Sequence, residues 1–512
     1  MIQNMDDILI QVGEFGRFQI LMQTIYSLIK LPHRFQALIT YFATLPSTWV
    51  CLTSEGVCDK NATYAADNTL RCTLPRNAWS HTESSDFSIV TQFDLVCGKE
   101  WLVHLASSMT FVGWAFGSVV FGWLADNFGR RHVLFSSYFV MILVSLMSIF
   151  SPSVVVFIVS RGIVGICMGG TFLMLMVMAT ELVGPKYRPV TVITLTIVNA
   201  FGTCSLSLAA NFIRDWRLLF MCCTLPFLPV VLFWKFVPES CRWLVSKQKT
   251  QEYKSVVKKM ARMNKKQFKW SESFNLIKAP NTRKSSYLEL VQDRNILLKT
   301  LSQGYAWFAV VLVYFGLFLA SSDLGVGSVY VNFILIAIVD LPGSFLAMYV
   351  CKNIGRKTAV VYSMLAGGLC CLAVAFLPRS GDMGVLRLVV GLLGKFCISL
   401  SFDSFYTWSL ELYPTHIRAV SSGYLQVNAR IGGAAAPWIA QGLKEFHKDA
   451  PFVTMATLAL TAGAILLRLP ETRGKDIDQR SQESLIKPDF NNNEGHVVLS
   501  DSLIYSQYIS CV

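Results

Sequence analysis

Residues 122–131 read GWLADNFGRR, and a weaker copy, MYVCKNIGRK, stands at 348–357. Asp126, Arg130 and Arg131 interrupt a chain whose other residues come in long apolar runs, such as VLFSSYFVMILVSLMSIF at 133–150 and FLMLMVMA at 172–179. Runs near twenty residues, as helix, match a bilayer core about 30 Å thick. About twelve are legible: 20–47, 101–124, 133–151, 153–179, 190–210, 217–237, 299–320, 328–350, 358–377, 384–409, 419–441 and 451–469. Of the 512 residues, 53% are hydrophobic and only 15% charged, where a soluble chain carries about a quarter charged. The expectation is an all-α membrane protein.

The two copies order the rest of the chain. Gly129-Arg130-Arg131 returns as Gly355-Arg356-Lys357, 226 residues on. Arg161 returns as Arg387, Glu181 as Glu411, Arg188 as Arg418, and Pro238-Glu239 as Pro470-Glu471, with offsets of 226 to 232. An ordered set with nearly constant offset predicts two six-helix pseudo-repeats, the architecture of a large transporter class with its pocket at the bilayer midplane. The first half then spans 1–237 and includes a polar loop at 48–100. A linker covers 238–298, the second half 299–470, and a polar tail expected to be disordered 471–512.

In GWLADNFGRR, Gly129 permits a tight turn and Arg130 and Arg131 anchor the loop. Asp126 ends a helix where it can meet a basic residue or a helix N-terminus. With Arg161, Glu181, Arg188, Gly355, Arg356, Arg387, Glu411 and Arg418, such charges can lock one face in one state and release it in another. Lys352 stands where the first copy has Asp126, so the two locks differ.

The net charge of +13 sits in short loops between apolar runs and in KSVVKKMARMNKKQFK at 254–269. Short basic loops stay cytoplasmic, which places both termini inside and sets nucleic acid aside as the partner. Four of the fourteen cysteines, Cys51, Cys58, Cys72 and Cys97, fall in the 48–100 loop. That loop is then extracellular, so two disulfides are expected, with three pairings open. Asn61-Ala62-Thr63 is a glycosylation sequon there. The chain ends Ser510-Cys511-Val512, a C-terminal PDZ-ligand pattern that makes a PDZ domain the expected protein partner.

VGEFGRFQ (12–19), FDLVC (93–97), GWLADNFGRR, PESCRWL (238–244), ELYPTHIR (411–418) and LPETRGK (469–475) together resemble the major facilitator superfamily. More narrowly they resemble solute carrier family 22, the organic cation, anion and carnitine transporters. The resemblance covers about residues 6–475. It implies the major facilitator fold of twelve transmembrane helices and secondary or facilitative transport of small organic ions at the plasma membrane. The chain departs from the family in having four loop cysteines where many members have more, and Lys30, His33 and Arg34 in its first span.

Ionisable residues inside a spanning helix cost roughly 2.5–3.5 kcal/mol on insertion scales, so they usually face protein or a water-filled path. Arg430 has Ala200 at the repeat-equivalent place, so the architecture does not require it. The resemblance implies that arginine here accompanies anion and carnitine transport, and its planar fork suits a carboxylate. An interhelical ion pair is the plainer reading. Asp340 can pair with Arg430, with Lys395 or with a cationic substrate group. Ser344, where anion transporters of the family often carry lysine, weighs against a purely anionic substrate. Lys395 and Asp403, eight residues apart on one face, read as a structural ion pair. Lys30 and Arg34 share a face and line a cavity if the helix runs through Pro32; otherwise the first span is short. Trp307, Tyr314 and Phe315 match positions where the family places substrate contacts, and the tenth span offers Tyr406 as a further aromatic wall, although such aromatic stripes more often pack.

No P-loop, HExxH or GxSxG elbow appears, so an enzyme is not expected, nor a metal or cofactor. The sequence therefore predicts alternating access for a small organic ion, with an anion or carnitine-like zwitterion favoured. An organic cation transporter, or a non-transporting sensor on the same scaffold, are the alternatives.

Overall fold

In a computed structural model, which describes residues 5–52, 58–59, 61–65, 69–267, 288–324, 327–379, 381–414 and 417–473, the apolar runs are helices. Helix α1 (Met5–Val12) precedes the first spanning helix, α2 (Arg17–Ala43). The loop that follows holds strands β1 (Trp49–Cys51), β2 (Thr63–Tyr64) and β3 (Trp79–His81) and the single turn α3 (Ile89–Gln92). Then come α4 (Trp101–Phe128), α5 (Arg130–Ser148), α6 (Val154–Glu181), α7 (Arg188–Phe212) and α8 (Trp216–Thr224), which continues as a 3-10 stretch, Leu225–Lys235. Short helices α9 (Cys241–Ser246), α10 (Thr250–Met263) and α11 (Glu289–Gln292) lie between the halves in sequence. The second half is α12 (Arg294–Leu319), α13 (Val329–Asn353), α14 (Arg356–Phe376), α15 (Asp382–Glu411), α16 (Arg418–Ala440) and α17 (Ala450–Leu466).

Nine of the described segments are long and apolar enough to cross a membrane. The three spans outside that set are α17, with 17 residues, and α2 and α16, which carry the charged residues of the first and eleventh spans. Phe116, Trp123, Phe150, Phe201, Phe212 and Phe376 are exposed on the outer surface, which suits hydrocarbon and not water. Helix α4 packs closely on α6: a Cβ at Gly117 would collide with the Ile166 carbonyl oxygen. Small residues let helix backbones approach in this way where lipid supplies no hydrophobic drive between them.

One end of the bundle carries the β1–β3 loop and is called here the loop face. The other carries α1 and α9–α11 and is the terminal face. In the loop, β1 pairs antiparallel with β2 and β3, with Trp49 opposite Tyr64 and His81. Cys51 is bonded to Cys58 and Cys72 to Cys97, one of the three pairings open from the sequence. Asn61 is exposed on a turn with φ +65°, a conformation asparagine tolerates better than most residues.

Pro32 lies inside α2, which continues through it, so the short-span alternative does not hold. At the terminal face, Asn264 at the end of α10 clasps the start of α2. Its side chain accepts from Phe18 N (3.0 Å) and donates to the Val12 carbonyl (3.1 Å) and Gln19 Oε1 (2.9 Å). The halves meet through α4 with α16 and α7 with α13. Tyr41 bonds Ser321 (2.9 Å), Ser207 bonds the Tyr330 carbonyl (2.8 Å) and Ser108 the Ala434 carbonyl (2.6 Å), all toward the loop face. The PDZ-like ending Ser510–Val512 lies outside the described residues.

Candidate functional site

The paired motifs build matching caps at the terminal face. Gly129 has φ +102° and Gly355 φ +156°, conformations that a side chain resists. Each glycine starts the third span of its half, whose first N–H groups have no helical partner. Glu239 accepts from the N–H groups of Arg130 (2.9 Å), Arg131 (3.0 Å) and Ser240 (2.9 Å). Glu471 accepts from those of Arg356 (3.0 Å), Lys357 (3.0 Å) and Thr472 (2.8 Å). Arg130 pairs with Glu181, to which Ser240 also donates. Arg356 pairs with Glu411 at 2.8 Å, and Thr472 donates to Glu411 at 2.6 Å. Partial burial raises the Glu471 pKa, but the N–H donors of Thr472, Arg473 and Arg356 outweigh it and hold the carboxyl below its ordinary value.

The other landmarks diverge. Arg188 pairs with Asp6 of α1 at 2.6 Å, whereas Arg418 donates to the Tyr413 carbonyl at 3.4 Å. The Arg131 guanidinium lies 5.5 Å from the Trp234 ring. Asp126 and Lys352 are both exposed; Trp243 Nε1 donates to the Asp126 carbonyl, and among the described residues the Asp126 carboxylate has no partner. Arg161 and Arg387 sit toward the loop face. Arg161 donates to Gln36 at 2.9 Å and stands 4.9 Å from the Phe220 ring. Arg387 pairs with Asp449 at 2.9 Å and donates to the Asp323 carbonyl at 2.9 Å.

Near the midplane, the second half holds a polar cluster. Lys395 on α15 pairs with Asp340 on α13 at 3.3 Å, not with Asp403. Eight residues of helix separate Lys395 and Asp403 by about 12 Å along the axis, one face but too far for a direct pair. Tyr314 donates to Asp340 Oδ2 at 2.7 Å, and Ser399 donates to Oδ1. Lys395 Nζ also lies over the Tyr314 ring, 3.0 Å from its centroid. Asp403 receives a hydrogen bond from Ser344, whose hydroxyl also reaches the Asp340 carbonyl at 3.0 Å. Asp340 therefore has its cation and two hydroxyl donors, while Asp403 has one hydroxyl.

Facing this cluster stands a group of cations without carboxylates. Arg430 is 5% exposed, and its guanidinium lies 3.9 Å from the Trp114 centroid and 5.4 Å from that of Phe172. Among the described residues it donates over a long 3.4 Å to Gln426 and interacts with the Tyr406 hydroxyl, and its Nε has no partner. Lys30 Nζ is 4.5 Å from the same Phe172 ring. Arg34 donates to Thr203 at 2.8 Å and approaches Phe318. His33 meets the Met168 carbonyl at 3.3 Å and lies edge-on to Trp114. Among the described residues none of Lys30, Arg34 and Arg430 has a carboxylate within ion-pair distance, so the interhelical ion pair read for Arg430 is not formed.

The aromatic residues divide. Tyr314 serves Asp340. Trp307 is 1% exposed and packed among Phe402, Phe405 and Tyr406, so it backs the pocket wall and does not line it. Phe315 contacts Phe111 of the first half, 4.7 Å between centroids, and helps to seal the loop side. Tyr406 is partly exposed beside Phe402. Sequence reasoning used Glu239 and Glu471 only as landmarks of the repeat and Ser344 only as a departure from the family, and it missed Ser399, Trp114 and Phe172. The repeat of Pro-Glu-Ser as Pro-Glu-Thr held the signal for the two glutamates; nothing in the order of residues marked Ser399 or the Phe172 ring.

The family model described as "Sugar (and other) transporter" matches residues 55–483. "Solute carrier family 22 member 15-like" of Xenopus laevis is 30% identical, covering 94% of this chain and 96% of its own length. "Organic cation/carnitine transporter 2" of Homo sapiens is 30% identical over 80% of this chain and 74% of the relative. "Organic cation transporter protein" of Drosophila melanogaster is 28% identical, covering 93% and 94%. Among solved structures, the xylose transporter XylE from E. coli in an inward-open conformation superposes with a TM-score of 0.62 at 15% identity, covering 92% of this chain and all of that one.

Proposed function

The chain belongs to solute carrier family 22, within the sugar (and other) transporter family, and from that premise we propose that it carries small organic anions or carnitine-like zwitterions by alternating access. One observation carries the charge preference: Lys30, Arg34 and Arg430 face the midplane without acidic partners, while Asp340 is already engaged by Lys395. An unpaired charge kept in a spanning helix is costly, and a carboxylate from the substrate offsets that cost. Arg430 on α16 and Lys30 on α2 come from opposite halves and share the Phe172 ring, so one anion between them contacts both. The rings of Trp114, Phe172 and Tyr406 enclose an organic body by dispersion.

The loop face is the extracellular side, with a glycan at Asn61, and the terminal face with both termini is cytoplasmic in the plasma membrane. The hydrogen bonds joining the halves toward the loop face then mark an inward-facing state. Asp126 engages the opposite half when the terminal face closes, and the 238–298 segment links two halves that rock as units. Ser510–Val512 binds a PDZ domain. An organic cation is the second reading: among the described residues Asp403 has no cation within ion-pair distance and lies beside Phe402 and Tyr406, and two relatives are named as an organic cation and an organic cation/carnitine transporter.

Uptake of labelled hippurate, tetraethylammonium and carnitine into oocytes expressing the full chain separates these readings. Hippurate or carnitine uptake, lost about 10- to 100-fold in Arg430→Ala at equal surface level, is the expected result, from a charge-assisted bond of about 1.5–3 kcal/mol. Tetraethylammonium uptake alone, intact in the variant, overturns the anion preference. No uptake of any probe despite surface expression favours a sensor.

A further inference from the structure

Two carboxylates and one ammonium share the polar cluster of the second half, and their surroundings are unequal. Asp340 is 8% exposed and accepts from Lys395, Tyr314 and Ser399, a set that fully satisfies an ionised carboxylate. Asp403 is only partly buried, and among the described residues its one side-chain donor is Ser344. The groups facing it are Asp340 from α13, Lys395 from its own helix and Tyr314 from α12, with Arg34 beyond them on α2. The only ammonium of the cluster is held by the other carboxylate. Two nearby carboxylates with one cation between them do not both ionise easily; the one with more donors keeps the charge and the other takes a proton.

The hydroxyl of Ser344 has one hydrogen and two acceptors, Asp403 Oδ2 and the Asp340 carbonyl at 3.0 Å. When Asp403 is ionised, that hydrogen points to the carboxylate. When Asp403 is protonated, its own O–H donates to Ser344, and the Ser344 hydrogen turns to the Asp340 carbonyl. The turn lies beside Pro342, which has no N–H to give to the Ile338 carbonyl and so already weakens α13 there. Protonation state and the bonding of one turn of α13 are thus linked through a single hydroxyl.

We propose that Asp403 is a proton-binding site of the carrier, taking a proton at the loop face and releasing it at the terminal face as the anion is carried inward. The balance is simple: the carboxylate plus one proton from water gives the neutral acid, and the same proton leaves at the other face. The proton site itself stands on the cluster; its travel with substrate rests on the transport reading above.

Infrared titration of the purified full chain in lipid nanodiscs tests the site without any substrate. The wild type should show a protonated-carboxyl stretch that appears on acidification. Asp403→Asn should lose it, Asp340→Asn should keep it, and Ser344→Ala should shift its frequency by removing the partner of the acid O–H. A purely structural role for Asp403 would leave no such band to shift. A titrating band that persists in Asp403→Asn, in protein with wild-type thermal unfolding, overturns the proposal even if all three uptake probes are carried. The expected pattern in a protein that carries no probe would keep the proton site and remove the transport reading. In proteoliposomes an inward proton gradient should speed hippurate uptake several-fold for wild type and not for Asp403→Asn; hippurate uptake indifferent to the gradient overturns the coupling.

Discussion

The two halves agree at the terminal face and disagree at the midplane. Arg130–Glu181 with Glu239 and Ser240 has a counterpart, residue for residue, in Arg356–Glu411 with Glu471 and Thr472. At the midplane the second half supplies Asp340, Lys395, Asp403 and Arg430, and the first answers with Lys30, His33 and Arg34, none of them at repeat-related places. Capping a helix that begins at a tight turn is the same problem twice, and it has the same solution twice. On the proposed function, holding an asymmetric organic ion is one problem, solved once between unlike surfaces.

The largest effect should come from breaking the matched part. In Arg130–Glu181 the side chains are 20% and 10% exposed, against 21% and 21% for Arg356–Glu411. Arg130→Ala leaves the more buried carboxylate unpaired and should cost about 3 kcal/mol. Arg356→Ala should cost about 1 kcal/mol, nearer to an exposed pair. Thermal unfolding of the purified variants measures both, and equal losses would mean that the locks are equivalent after all. A smaller effect tests the unmatched part. Lys30→Met keeps the stem over Phe172 and removes the charge, and should lower hippurate uptake about tenfold, or about 1.4 kcal/mol, at unchanged unfolding temperature. An unchanged rate would place the anion on Arg430 and Arg34 alone.

The smallest effect is acid sensitivity. Glu471 has a depressed pKa in the folded chain, so the stability it adds is complete above its ordinary value and is lost as pH falls through the lower, folded value. The unfolding temperature should therefore drop along an acid limb that begins below about pH 4.3, and Glu471→Gln should flatten it. Glu239→Gln, measured in parallel, shows whether the matched caps also titrate alike.

The fold was legible because helices announce themselves twice, by apolar length and by polar residues at their ends. Gly129 and Gly355, Glu181 and Glu411 stand at helix ends, where chain position and place in space coincide. The midplane was only half legible. Arg430 and Asp340 declared themselves as charges in apolar runs. Spacing favoured Asp403 as the partner of Lys395 because both share a helical face, while Asp340, open to Lys395 among other partners, comes closer from another helix. Trp307 has the same spacing relation to Tyr314 as a pocket residue would, yet three rings bury it. The weak apolarity of α2 and α16 reflects the midplane cations they carry, Lys30, Arg34 and Arg430, which among the described residues have no carboxylate within ion-pair distance.

The Pro-Glu-Ser and Pro-Glu-Thr caps also set an order of assembly. Arg130 and Arg131 wait for a glutamate that enters the growing chain 108 to 109 residues later, after the sixth span. Arg356 waits similarly for Glu471, 115 residues on and after the twelfth. Each half is thus closed by the residues that directly follow its last helix, and the first is complete before any of the second is synthesised. Large chains generally fold unit by unit from the N-terminus during synthesis. A ribosome stalled just before Pro238 would hold six spans with an open third-helix end, and one stalled a few dozen residues later would hold a finished half.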